Sequence, residues 1–209
     1  MSGSENGQAS HAAAEVYSRQ REKSEAMRCR VCEAATAHIA EFGYHRTSIG
    51  KIAVRAGVSQ GALQHHFPSK EDLVAAVLDF LLTRSVEWFA LARIDLAKGR
   101  DAFDEVVRRS WREQFCGDDF AAVLEILTAS RTDETLKERI TPALARWREL
   151  IDAELAELLP ATQRTADELR AILTISRALM TGLLVHDRLL NNEAHINLVI
   201  DKWIELARL

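Results

Sequence analysis

Apolar residues recur at spacings of three and four along most of this 209-residue chain, and no long stretch alternates apolar with polar positions. Val31, Ala35, His38, Ile39 and Phe42 mark the inner face of a helix expected over residues 19–42 and ended by Gly43. Ile49, Ile52, Ala53 and Ala56 mark a second, short helix. Gly57 then supplies the left-handed residue that stops a helix and turns the chain. Ser59 is the N-cap of a third helix reaching about residue 67, where Pro68 stops it. Ser69 and Asp72 form a capping box, opening a fourth helix over residues 69–93. Its Leu73, Val74, Val77, Leu78, Leu81 and Leu82 cover more than one side, so it must pack against two partners at once.

Five amphipathic segments follow Gly99, over residues 100–115, 120–130, 132–159, 165–190 and 193–209. Pro142 predicts a kink within the third of these and Pro160 its end; Asn191 and Asn192 separate the last two. Residues 1–18, rich in Gly, Ser, Asn and Ala, read as a flexible arm. The expectation is an all-α protein of about nine helices. A three-helix domain with a helix-turn-helix spans residues 19–68, and a helical bundle domain spans residues 69–209.

Tight-turn helix pairs of this kind can place their second helix in the major groove of DNA. With Val58, Leu63 and Phe67 turned inward, Gln60, Gly61, Ala62, Gln64 and His65 face out. That face has neither a large apolar side chain nor a carboxylate, whereas an ordinary solvated surface mixes Lys with Glu. Glutamine pairs two-pronged with adenine, Ala62 offers a methyl to thymine, and Gly61 lets the backbone approach closely. Thr47, Ser48, Lys51, His66 and Lys70 flank this face as candidate phosphate contacts. Arg19, Arg21 and Lys23 read either as further phosphate contacts or as a solvated face interleaved with Glu22 and Glu25. The net charge of −4 conceals an asymmetry: residues 1–70 hold nine Lys or Arg against six Glu, while the rest carries a net −7. Phosphate affinity follows local positive charge, so a basic head on an acidic body suits a protein that presents one end to DNA.

The run IA-x-x-AGVS-x-G-x-L-x-x-x-F-x-SKEDL resembles the DNA-binding signature of TetR-type transcriptional regulators, over about residues 25–75. Members often carry tyrosine where this chain has Gln64, and tyrosine or tryptophan where it has His65, so operator sequence does not carry over. The resemblance implies a homodimer joined by a four-helix bundle, an effector pocket in the body, and double-stranded operator DNA as partner.

Two features of the body bear on those implications. Ala171, Ile175, Ala178, Gly182, Val185 and Leu189 form a seam with small residues, and Ile196, Val199, Trp203 and Leu206 form another. Either is ordinary core or, as the resemblance favours, a dimer interface centred on Ile175, Ala178, Gly182, Val199 and Trp203. Trp88, Phe89, Trp111, Phe115 and Trp147 are the candidate walls of a pocket for an apolar or aromatic effector, the plainer alternative being core filling. His186 and His195 read as surface or core-satisfied histidines rather than as polar handles in that pocket.

Other chemistries find little support. Cys29 and Cys32 have C-x-x-C spacing without the further ligands a structural zinc needs, and Cys116 is alone. Neither metal nor cofactor is expected. The enzyme motifs G-x-S-x-G, H-E-x-x-H and G-x-x-x-x-G-K-[ST] are absent. No apolar run approaches the ~18 residues of a membrane span and no signal-peptide core is evident, so a cytoplasmic location is expected. The resulting expectation is a ligand-released repressor, the alternative being a helical small-molecule binder that has lost specific DNA reading.

Overall fold

A computed structural model of the chain describes residues 4–98, 100–187, 190 and 192–207. Nine α-helices and no strand are found among them. These are α1 (Ser4–Phe42), α2 (Ile49–Ala56), α3 (Gln60–His66), α4 (Lys70–Leu96), α5 (Arg100–Ser110), α6 (Asp118–Ala129), α7 (Glu134–Leu158), α8 (Ala166–Gly182) and α9 (Glu193–Ala207). Two helices end in a π-helical turn: α5 continues into Trp111–Phe115 and α8 into Leu183–Asp187. Leu189, Asn191 and the final two residues of the expected last helix lie outside the described residues, as do Gly99 and residues 1–3.

Local chemistry sets most boundaries. Ser69 Oγ accepts from the Asp72 N–H at 3.0 Å while Asp72 Oδ2 accepts from the Ser69 N–H at 3.2 Å, completing the expected box at the start of α4. Thr165 and Glu168 do the same for α8, and Asp133 caps α7. The first helix starts fifteen residues before the expected point, so residues 4–18, read from composition as an arm, continue α1. The alanines at 9, 12, 13 and 14 favour a helix and no proline interrupts the segment, although Gly7 opposes one.

One apolar cluster runs without interruption from head to body. It joins Val31, Ala35 and Ile39 of α1, Ile52 of α2, Leu63 of α3, the inner residues of α4, Ala122 and Ile126 of α6, and Leu136 and Ile140 of α7. Helix α4 is therefore buried on two sides, as its sequence requires, with Leu73, Val74, Val77 and Leu78 fully enclosed. Along its body half, Arg93 pairs with Glu154 at 2.7 Å, and Asp79 pairs with Arg146, tying α4 to α7. A second cluster joins Val107, Met180, Leu183, Ile196, Ile200 and Ile204, and a third joins Ile151, Leu155, Leu158 and Leu169.

Candidate nucleic-acid interface

The turn between α2 and α3 is set by three local interactions. Gly57 takes φ +66°, which lets the Val58 N–H reach back to the Ala53 carbonyl at 3.0 Å. Ser48 caps α2, and Ser59 caps α3 by accepting from the Ala62 N–H at 3.2 Å. Leu63 and Phe67 are buried, and their anchorage leaves Gln60, Gly61, Ala62, Gln64 and His65 all exposed on the far side. The five residues expected to face the groove thus share one accessible surface.

The flanking residues divide. Ser48 and Lys51 are exposed, with Lys51 Nζ donating to the Arg46 carbonyl at 2.7 Å, and half-buried His66 closes α3. Thr47 departs from expectation: it is 4% exposed and its hydroxyl donates to the Gly43 carbonyl at 3.0 Å. Its side chain braces the loop before α2 and is not presented outward. Lys70 is half-buried, its Nζ 3.7 Å from the centre of the Tyr44 ring, and burial lowers its pKa. Two basic residues were missed by pattern reading. Arg46 is exposed next to Ser48, and Arg28 of α1 lies over the Phe67 ring at 5.3 Å. Only the positive charge of Arg28 signals it in the sequence, since its position depends on where α1 crosses the end of α3.

Tyr44 links this head to the body. Its hydroxyl donates to Asp133 Oδ2 at 2.7 Å, with Glu71 Oε1 at 3.4 Å, and Asp133 Oδ1 accepts from the Leu136 N–H at 2.9 Å. Burial, then the bond to Asp133, pushes the phenol well above its usual pKa, so it stays a protonated donor. The N–H of Leu136, and next the Tyr44 hydroxyl, hold the Asp133 carboxyl below the ordinary range. Beside this contact a groove of about 330 Å³ is lined by His45, Glu125, Thr128, Ala129, Arg131 and Thr132. A second, of about 480 Å³, runs past His38, Gly50, Lys51, Val54 and Arg55. His38 is buried with Nε2 3.5 Å from the Arg46 carbonyl, as expected of a core histidine.

The five aromatic residues expected to wall one pocket do not converge. Phe89 and Trp147 pack against the Ile151–Leu155 cluster, with Trp147 Nε1 donating to Ser85 Oγ at 2.9 Å. Trp111 and Phe115 pack instead against Met180 and Leu183. Trp88 is half-buried, donates to Glu113 at 2.9 Å, and has the Arg109 guanidinium 5.6 Å over its ring. Periodicity places an aromatic on a face but does not say which of two clusters that face meets. His186 and His195 are both exposed.

On the outer side of the body, Ala171, Ile175, Ala178 and Val185 form one exposed stripe along α8, with Gly182 half-buried beside it. Leu198 and Leu206 of α9 are also exposed. Trp203, expected either in the core or at the dimer interface, takes the first place in this subunit. It is half-buried against its own subunit's cluster and donates to Ser176 Oγ at 3.0 Å, and Val199 packs with it. The inward line of α9 is Ile196, Ile200 and Ile204, one residue round from the line read in the sequence. Contrary to expectation, the window 166–186 is long and apolar enough by composition to cross a membrane, at a mean hydropathy of 1.3. Its exposed apolar groups lie on one stripe, and Arg170 and Arg177 are also exposed. That arrangement differs from the all-round apolar surface of a lipid-embedded helix. Cys32 is buried and its thiol is pushed up to about 11 by that burial, which leaves it unreactive; Cys29 is exposed.

The family model of the bacterial regulatory proteins of the tetR family matches residues 31–77, which span the last third of α1, the helix-turn-helix and the start of α4. An HTH-type transcriptional regulator of Mycobacterium tuberculosis is 32% identical over 164 residues, covering 78% of this chain and 82% of the relative. Among solved structures, a TetR-family regulator from Mesorhizobium loti superposes with a TM-score of 0.71, at 17% identity, over 88% of this chain and 96% of its own. The regulator FadR of Bacillus subtilis, solved in complex with stearoyl-CoA, superposes at 0.62 with 19% identity, over 86% and 96%. With the exposed α3 face already in place, these likenesses settle the class: the chain belongs to the TetR family of DNA-binding transcriptional regulators, which are not enzymes.

Proposed function

We propose that this regulator is a cytoplasmic homodimer that reads operator DNA through α3 and is released from it by an apolar or aromatic effector held in the body. The observation that carries the reading is the α3 surface: five exposed residues free of carboxylate and bulky apolar groups, on a helix whose remaining positions anchor it. Gln60, Gln64 and His65 read base edges, and Gly61 and Ala62 allow close approach. Ser48, Lys51, His66 and Lys70 position the head on phosphates, joined by Arg46. Thr47 acts behind them as a brace. Functionally, residues 19–68 form the DNA-binding domain and residues 69–209 the effector and dimer domain. Their shared core makes them move together.

Gln64→Ala is expected to reduce discrimination at its contacted base pair by ~1–3 kcal/mol, with little change in thermal stability, because the side chain is exposed. Competition binding between operator and single-base variants measures this. Equal weakening on operator and random DNA would reject the base-reading role.

In this reading the effector binds where both π-helical turns meet one cluster, Trp111 and Phe115 from one and Leu183 from the other, a junction that supports it. Such turns are often found at functional sites. Trp88 borders it through Glu113, whereas Phe89 of α4 and Trp147 of α7 pack in the Ile151–Leu155 cluster and stand outside it. That a protein of the same fold was solved with stearoyl-CoA agrees with an apolar ligand. A ligand here shifts α4, and with it the head, only through its differential affinity for the bound and released shapes. Coupling is reciprocal, so operator DNA must weaken effector binding by the factor by which effector weakens operator binding. Tryptophan fluorescence titrations with apolar and aromatic compounds, with and without operator, measure both factors. Saturation of the body without any change in operator affinity would refute release by ligand.

A further inference from the structure

We infer that Gly50 of α2 is a specificity-determining residue, because the space left by its missing side chain positions the Gln60 carboxamide of α3. This rests on the reading of Gln60 as a base contact. A Cβ at Gly50 would stand 3.3 Å from Gln60 Oε1 and 3.8 Å from its Cδ, so the Gln60 side chain lies back across the first turn of α2. The shorter distance is tighter than ordinary van der Waals contact, so a Cβ at position 50 shifts the carboxamide by at least a few tenths of an ångström from where it lies. At Gly57 and Gly61, the other glycines of the helix-turn-helix, an added Cβ meets nothing within 4 Å, so within that motif the closeness belongs to position 50.

Backbone geometry supplies no other reason for the glycine. Among the described residues the positive-φ glycines are Gly43 and Gly57, whereas Gly50 lies in the first turn of the regular helix α2. Glycine costs roughly 0.5–1 kcal/mol relative to alanine in the middle of a helix and less in a first turn, so alanine there is tolerated by the backbone. Gln60 meanwhile is exposed at the first position of α3, where an unrestrained glutamine samples many rotamers. A side chain already laid against α2 loses less freedom on meeting a base, so the cradle sharpens recognition without touching DNA itself.

The test is a double-mutant cycle: wild type, Gly50→Ala, Gln60→Ala and the double variant, each titrated against the operator and its single-base variants. Gly50→Ala is expected to lower discrimination about 3–10-fold, part of the value of a full glutamine–base pair, at the same base position that Gln60→Ala affects. In the Gln60→Ala background it should change nothing further. Thermal melting should show Gly50→Ala as stable as wild type or more so, so unfolding cannot mimic the effect. A Gly50→Ala effect that persists without Gln60, or no change in discrimination, overturns the inference while leaving the base-reading role of Gln60 intact. If Gln60→Ala alone leaves every base preference unchanged, the reading of Gln60 itself fails.

Discussion

Replacing Leu63 by alanine is expected to cost about 3 kcal/mol of stability, within the 2–5 kcal/mol typical of large-to-small core changes, and to remove operator binding. Leu63 is fully buried and is the buried residue of α3. A seven-residue helix is far too short to persist alone, so α3 exists because Leu63 and the adjoining Phe67 hold it on α1, α2 and α4. The loss should be felt by the whole chain, since the cluster containing Leu63 continues through α4 into α6 and α7. At ~2–4 °C per kcal/mol for a chain of this size, the melting midpoint should fall by roughly 6–12 °C in a single transition. Calorimetry checks this, with circular dichroism for the whole chain and tryptophan fluorescence for the body, which holds all four tryptophans, followed in parallel. A head that melts separately, leaving the body transition unmoved, would contradict the shared core.

Ile175→Asp is expected to turn the dimer into a monomer and lower operator affinity by about 10²–10⁴-fold, the usual scale of lost bivalency. Ile175 is 50% exposed in the middle of the α8 stripe, with Ala171 and Ala178 on either side allowing close approach of a second helix. In a two-fold interface the same residue appears twice, so the substitution places two carboxylates near one another in an apolar setting. Because the side chain is exposed in the isolated subunit, helix content should be unchanged. Sedimentation analysis gives the subunit number, and operator titration gives the affinity. A variant that remains dimeric would move the interface away from α8.

The head was legible in the sequence because each of its signals is local. Gly57, Ser59 and the Ser69–Asp72 box act within four residues, and all three stand in the structure where the pattern places them. The inner and outer faces of α3 followed from its period alone. What was not legible depends on distant partners. Thr47 looks like a polar loop residue until the Gly43 carbonyl is found to receive its hydroxyl. Lys70 looks free until the Tyr44 ring is found beneath it. Whether Trp203 faces the core or a second subunit cannot be told from spacing, because a rotation of one residue in α9 leaves an apolar line on either side. The two π-helical turns have no sequence signature of their own. One of them carries Trp111 and Phe115 onto the cluster of Met180 and Leu183 while Phe89 and Trp147 meet another, a division that spacing does not express.

The most direct test of DNA reading by a symmetric dimer is selection from a random duplex library by the purified protein, followed by sequencing of the bound fraction. The expected result is a two-fold symmetric site whose half-sites lie about one helical turn, ~34–36 Å, apart, so that two α3 helices enter successive major grooves on one side of the duplex. Gln64→Ala, run in parallel, should blur one symmetric pair of positions in that site and leave the spacing unchanged. Enrichment of no sequence at all, or of an asymmetric site indifferent to Gln64, would contradict the account.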